Sequence, residues 1–333
     1  MNLPGIVVKL PTLTEQDEKD IGIFLILQSQ LSYYIVEFGL KYNIDIIAAS
    51  FIRKARDVEY IRDVLGVKGA HIKIVSKIEN QEGLENFEEI MQASDAIMVA
   101  RGDLGMEIPT EKVFKAQKHM IDKCNATGTP VIVATQMLES MIVNPRPTRA
   151  EASDVANAIL DGADWVMLSG ESANGAFPLE SVQIMASIIS ESESVLKYKK
   201  LYDHIVDISP TPVVTTEILA AAWTQAAFSL HVDLIVVMSR NGKIAQMIAK
   251  YRPRQPIFAC CTSNTMVRQL NLIRGVFGYK IPSFQNATQL LKIVIKAAKS
   301  MGLWKTGNTA ITLRAVEGEG HDDSTLMEML EVS

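Results

Sequence analysis

Five short runs, IDIIAASF (residues 44–51), IKIVSK (72–77), AIMVAR (96–101), VIVAT (131–135) and WVMLS (165–169), decide the fold of the first part of this chain. Each is rich in strand-forming residues and too short for a helix, and longer amphipathic stretches separate them. That alternation predicts repeated βα units around a parallel sheet. Within the stretch 111–126, Val113, Phe114, Ala116, Gln117, Met120, Ile121 and Cys124 follow the 3.6-residue period of one buried helix face. Pro109 just before it and Gly128 just after it are helix punctuation.

Residues 197–212 break the rhythm with a charged run and then Ser209-Pro210-Thr211-Pro212, which reads as a linker. The expected division is 1–204, holding the five runs, and 205–333, a smaller α/β domain with an open sheet. In the latter, helices are expected at 217–230, 244–251 and 289–301, and strands at 233–239, 257–261 and 309–314. A length of 333 residues suits two cores, since single cores stop growing at roughly 250 to 300 residues.

Composition excludes several classes. With 48% hydrophobic and 21% charged residues the chain is neither disordered nor fibrous. A net charge of -5 offers no basic surface for nucleic acid. The apolar stretch 22–36 contains Gln28, Ser29, Gln30 and Ser32 and falls short of the ~20 residues of a membrane helix. No membrane partner and no signal peptide are expected. Of the three cysteines, Cys260 and Cys261 are adjacent in a predicted strand and cannot bridge without strain, which suits a reducing, cytoplasmic location.

In a (β/α)8 TIM barrel the active site sits at the C-terminal ends of the strands. Here polar residues recur there: Lys77 and Glu79, on one face if the strand continues that far; Arg101, Gly102 and Asp103; Thr135; and Ser169 with Glu171. Taken singly, each is equally a solvated loop residue or half of a surface ion pair. Four in succession favour a site that handles a phosphorylated acid with a divalent metal. Glu79 and Asp103 are hard oxygen ligands, and Mg2+ takes only one or two carboxylates. Lys77 would complete a phosphoryl clamp, and Gly102 leaves room for backbone N–H groups to approach an anion.

At this point the sequence resembles a known family. IKIVSKIENQEGL (72–84), VARGDLGMEIP (99–109), CNATGTPVIVATQMLESM (124–141), NPRPTRAEASDVANAILDGAD (144–164) and VMLSGESANGAFP (166–178) are similar, in order and spacing, to pyruvate kinases. The resemblance covers residues 1–21 and 37–314. It implies phosphoryl transfer from phosphoenolpyruvate to ADP, giving pyruvate and ATP in glycolysis, with Mg2+ and usually K+. It implies that Lys77 stabilises the transferring group and the developing enolate, and that Glu79 and Asp103 hold Mg2+. Thr135 would lie on the face where the enolate is protonated. Gly102 and Asp103 would offer N–H groups to the substrate, Arg101 would act with Lys77 and Thr135 by supporting that loop, and Ser169 and Glu171 would play a supporting part. Residues 146–151 resemble a subunit-contact segment, which implies a homo-oligomer, usually a tetramer.

The second domain resembles the family's regulatory domain, and Ser239, Arg240, Asn241, Gly242 and Lys243 form a candidate effector-phosphate loop ahead of a helix. Asn241 and Ile244 stand where members activated by a sugar bisphosphate carry more hydroxyls. Glu317, Glu319, Asp322 and Asp323 would repel phosphate. Only five of a barrel's eight strands are expected here, in ~190 residues against a typical ~250. By the resemblance, the first three strands and a lid domain would precede residue 2, and the K+ ligands with them. Residues 22–36 read as an atypical insertion or a mis-spliced boundary. The expectation is therefore a part of pyruvate kinase that is inactive alone. A truncated partner that assembles with full-length chains is the alternative, and another metal-dependent barrel enzyme, an aldolase or lyase, is a third.

Overall fold

The five runs form five parallel strands, β1 (Ile46–Ala49), β2 (Lys73–Ile78), β3 (Ala96–Ala100), β4 (Val131–Ala134) and β5 (Trp165–Met167), hydrogen-bonded in sequence order. The computed structural model describes residues 39–211, 213–284, 287–305, 307–316 and 324–331. The atypical stretch 22–36 and the acidic residues Glu317, Glu319, Asp322 and Asp323 lie outside them. Two compact units are present, one up to Ser194 and one from Val195 onward, with Asn125–Gly128 grouped with the second.

Parallel strands need crossovers, and helices supply them. These are α1 (Ala55–Leu65), α2 (Gln81–Glu85), α3 (Phe87–Ala93), α4 (Arg101–Glu107), α5 (Thr110–Thr127) and α6 (Arg149–Asp161), with α7 (Gly170–Ala173) and α8 (Pro178–Ser194) after β5. Local chemistry sets their ends. Thr148 Oγ1 accepts from Glu151 N while Glu151 Oε2 accepts from Thr148 N, a capping box that starts α6. Gly162, at φ 108°, ends it in the left-handed conformation. Ile74, Ile78, Ile97, Val99, Val131 and Val133 build the core with Met120, Ile121 and Cys124 of α5. One expectation fails: Phe114 is 62% exposed. It lies about 100° round the helix from Val113, which is the residue that packs on the core there.

This is the expected incomplete (β/α)8 barrel, five strands of the eight that close one. Among the described residues, β1 and β5 pair on one side only.

The second unit holds α9 (Tyr198–Ile208), α10 (Thr215–Ser229), β6 (Leu234–Met238), α11 (Lys243–Lys250), β7 (Ile257–Cys261), α12 (Asn264–Leu270), β8 (Val276–Lys280), α13 (Ala287–Ser300), β9 (Thr309–Val316) and β10 (Ser324–Glu331). Its sheet runs β10-β9-β6-β7-β8, parallel except for the β10–β9 pair. Both faces are covered. Ile235, Val237, Ala259 and Cys261 belong to one core, and Leu234, Val236, Met238, Phe258 and Cys260 to the other. Strand alternation therefore points the two adjacent cysteines to opposite faces, and both are free and buried.

The charged run ahead of the 209–212 linker is helix α9. Its Lys199 and Lys200 are exposed while Tyr202 and Ile205 are buried in the second unit's core. Three further elements, α12, β8 and β10, carry too little periodicity to be read from sequence. Gly278 in β8 is required by packing, because a Cβ there would lie 2.5 Å from Val267 O at α12. Among the described residues no helix is long and apolar enough to cross a membrane.

Candidate active site

Strand β2 sets the first two groups. Its alternation puts Lys77 on one face, and the chain stays extended long enough for Glu79 to share it. Asn80 then stops the strand, its Oδ1 accepting from Gly83 N at 2.8 Å to cap α2. Glu79 is fully buried. Lys77 Nζ donates to Glu79 Oε1 and, at 2.8 Å, to Ser50 Oγ. Phe51 N donates to Glu79 Oε2. Burial pushes the Glu79 carboxyl above its ordinary range; Lys77 and the Phe51 N–H oppose this, and the Asp103 carboxyl, within hydrogen-bonding reach, adds to the rise. Two carboxylates this close, one of them buried, call for a proton or a cation between them. Among the described residues no cluster of three or more His, Cys, Asp or Glu is gathered for a metal. The donor set is thus a pair of hard oxygens, which fits Mg2+.

The second group comes from the ends of β3 and β4. Helix α4 begins directly after β3, so Gly102 and Asp103 lie in its first turn. Thr135 and Gln136 leave β4 in the left-handed region, at φ 75° and 53°. This is a costly conformation for a β-branched residue, of the kind found where surrounding structure enforces it. Arg101 enforces it here. Its Nε and Nη2 donate to Thr135 O at 3.2 and 2.7 Å, and Nη2 donates to Gln136 O at 3.2 Å. Nη1 donates to Asp154 Oδ1 at 2.7 Å and to Gln117 Oε1 at 3.3 Å. The guanidinium is thus fully engaged in holding the Thr135–Gln136 turn against Asp154 and Gln117. A second reason for Gly102 stands beside the sequence reading. A Cβ there would lie 2.7 Å from Thr135 Cγ2, so the absent side chain makes room for Thr135.

The third group joins the β5 and β4 loops. Glu171 is fully buried, and its two oxygens accept from Ser169 N at 2.7 Å and from Leu138 N at 3.0 Å. Ser50, Phe51, Gln117 and Asp154 were missed from sequence. Ser50 and Phe51 close the first of the five runs, so the strand-end rule alone would have found them.

In the second unit the candidate effector loop is closed on itself. Ser239 Oγ accepts from Gly242 N at 3.0 Å, and Asn241 Oδ1 accepts from Lys243 N at 3.1 Å. Two of the N–H groups that a phosphate nest at α11 would use are taken by the loop's own side chains, while Arg240, Asn241 and Lys243 stay exposed.

A parallel sheet with an ammonium, a carboxylate pair of which one member is buried, and a strained threonine at the C-terminal ends of its strands has the architecture of a barrel-type α/β enzyme. Residues 1–182 match the family described as "Pyruvate kinase, barrel domain" and residues 217–328 match "Pyruvate kinase, alpha/beta domain". The pyruvate kinase of Eimeria tenella is 48% identical over 332 residues, 100% of this chain and 60% of that protein. The cytosolic isozyme of pyruvate kinase from Glycine max is 44% identical over 335 residues, 95% of this chain and 63% of that one. Among solved structures, Cryptosporidium parvum pyruvate kinase in complex with ADP matches with a TM-score of 0.85 at 44% identity, covering 91% of this chain and 62% of the other. The chain belongs to the pyruvate kinase family, and it spans about 60% of the length of the curated relatives it matches.

Proposed function

We propose that this chain supplies the greater part of the catalytic centre of a pyruvate kinase, the phosphotransferase that converts phosphoenolpyruvate and ADP to pyruvate and ATP. The observation that carries this reading is the Lys77 ammonium held between Ser50 and the buried Glu79, with Asp103 alongside. Lys77 donates to the phosphoryl oxygen and the developing enolate oxygen, where a fixed charge in a shielded site is worth most. Glu79 and Asp103 hold Mg2+, which when bound supplies positive charge to the phosphoryl oxygens. The Gly102 and Asp103 N–H groups orient the substrate at the first turn of α4. Thr135, with its loop fixed by Arg101, lies on the face where the enolate is protonated. K+ belongs to the same reading, with its ligands expected outside this chain.

A homo-oligomer, tetrameric as the resemblance implies, and a cytoplasmic location complete the proposal. Residues 143–146 are exposed. The segment that follows is fixed by Glu151, which accepts from the backbone N and hydroxyl of both Ser140 and Thr148. Burial alone would raise the Glu151 carboxyl, yet the Ser140 and Thr148 donors outweigh it and hold it below its ordinary range. A rigid, exposed segment of this kind suits a subunit contact. It also suits the second reading, a non-catalytic chain assembling with full-length pyruvate kinase. The 333-residue polypeptide made alone is proposed to be inactive.

Tests use a barrel-completed chain, in which the N-terminal part of the Eimeria tenella relative precedes this sequence. There, Asp103→Asn and Glu79→Gln should each raise the Mg2+ concentration needed for half-maximal turnover by about tenfold or more, because a cation with two protein ligands loses one charge. A magnesium titration in which both variants match the parent would place the metal elsewhere. Gly102→Ala should cost about 1–3 kcal/mol of stability in urea unfolding by pressing on the stiff Thr135 side chain, and Thr135→Ser in the same chain should recover most of it by removing the methyl. A Gly102→Ala chain as stable as the parent would show that the close approach is not tight.

A further inference from the structure

We propose that Ser50 is a positioning residue for Lys77, fixing one of its N–H groups so that another is aimed at the reacting group; this rests on the reading of Lys77 given above. An ammonium has three donors. One goes to Ser50 Oγ at 2.8 Å and a second to Glu79, which leaves one for substrate. The lysine stem alone cannot hold that direction, since its four-carbon chain carries about 2 kcal/mol of rotamer entropy. Anchors on two adjacent strands can. In the β1–β2 register Ala49 pairs with Ser76, so the next residues, Ser50 and Lys77, stand side by side at the C-terminal edge of the sheet.

Sequence neighbours strengthen the arrangement. Phe51 sits in the left-handed region at φ 54°, and its N–H donates to the other oxygen of Glu79. One two-residue turn therefore holds both partners of the ion pair, in a conformation that costs about 1–2 kcal/mol for a residue other than glycine. The choice of a hydroxyl also matters chemically. Ser50 accepts without carrying charge, so it fixes the ammonium in place while leaving only Glu79 to neutralise it. A second carboxylate at position 50 would anchor Lys77 equally well and cancel the field that the transferring group needs.

The test compares Ser50→Ala and Ser50→Thr in the barrel-completed chain, alone and combined with Lys77→Met. Ser50→Ala should lower kcat about 10- to 100-fold, the scale of a small misplacement of a reacting group, with KM for phosphoenolpyruvate changed less than about threefold by the same reasoning. Ser50→Thr, which keeps the hydroxyl, should restore most of kcat. Melting gives a readout independent of turnover: Ser50→Ala should lower Tm in the Lys77 chain and have little effect in the Lys77→Met chain. An alanine variant with unchanged kcat beside an inactive Lys77→Met variant would overturn the role of Ser50 and leave the reading of Lys77 standing. Equal Tm losses in both backgrounds would overturn it too. A Lys77→Met chain that still turns over would instead remove the functional reading on which the inference rests.

Discussion

Replacing Lys77 by methionine in the barrel-completed chain is expected to abolish detectable phosphoryl transfer while leaving the fold intact. Methionine keeps the apolar stem, so packing along β2 is preserved and the change is confined to the ammonium. The Lys77 side chain is only 15% exposed and sits against a Glu79 side chain that is 1% exposed. In such a place charge is poorly screened, and a cation aimed at oxygens that gain negative charge acts far more strongly than it would in water. Its removal has a structural cost, because Glu79 loses its partner while buried. Burial already pushes that carboxyl upward, and losing the Lys77 charge pushes it further, which eases uptake of a proton and moderates the cost of leaving it unpaired. Steady-state assays with saturating Mg2+ decide the matter. Retention of more than about a tenth of parental turnover, a barrier change under ~1.4 kcal/mol, would falsify the role of Lys77 as the main electrophile.

What could be read from sequence, and what could not, follows from the range of the forces involved. Lys77 and Glu79 were legible because strand alternation is a local, two-residue property that persists one step past β2. The five strands were legible for the same reason. Arg101 was visible as a loop-supporting residue but its partners were not, because Thr135, Gln136 and Asp154 lie 34, 35 and 53 residues away and no local pattern encodes that clamp. The strain at Thr135 arises from the same long-range contacts. Helix α9 was hidden by composition: its lysines face outward, and the proline-containing stretch after it drew attention from Tyr202 and Ile205 on the inner side. The self-closure of the Ser239–Asn241 loop turns on side-chain rotamers, which sequence does not specify.

The 333-residue polypeptide produced alone is expected to be catalytically silent and prone to aggregate, while its second unit folds. A barrel closes with eight strands, and the described residues supply five. The burial of those five is graded. All of β3 and β4 is buried, whereas most of β1 and β5 is only partly covered, and Trp165 on β5 is 43% exposed. Among the described residues the outer edges of β1 and β5 are unpaired, and such edges recruit other chains. A site lacking the rest of the barrel would also leave the bound substrate in contact with water, which weakens the field on the transferring group. The second unit has a core on each face of its own five-stranded sheet. Because α9 contributes Tyr202 and Ile205 to one of them, a fragment beginning at Val195 should melt cooperatively, and one beginning after Ile208 should be less stable by several kcal/mol, the scale of losing two large buried side chains. Size-exclusion chromatography, calorimetry of the two fragments and a coupled assay for pyruvate test the set. Measurable pyruvate formation by the 333-residue polypeptide alone at any Mg2+ and K+ concentration would sink the first claim, and equal melting of the two fragments the second.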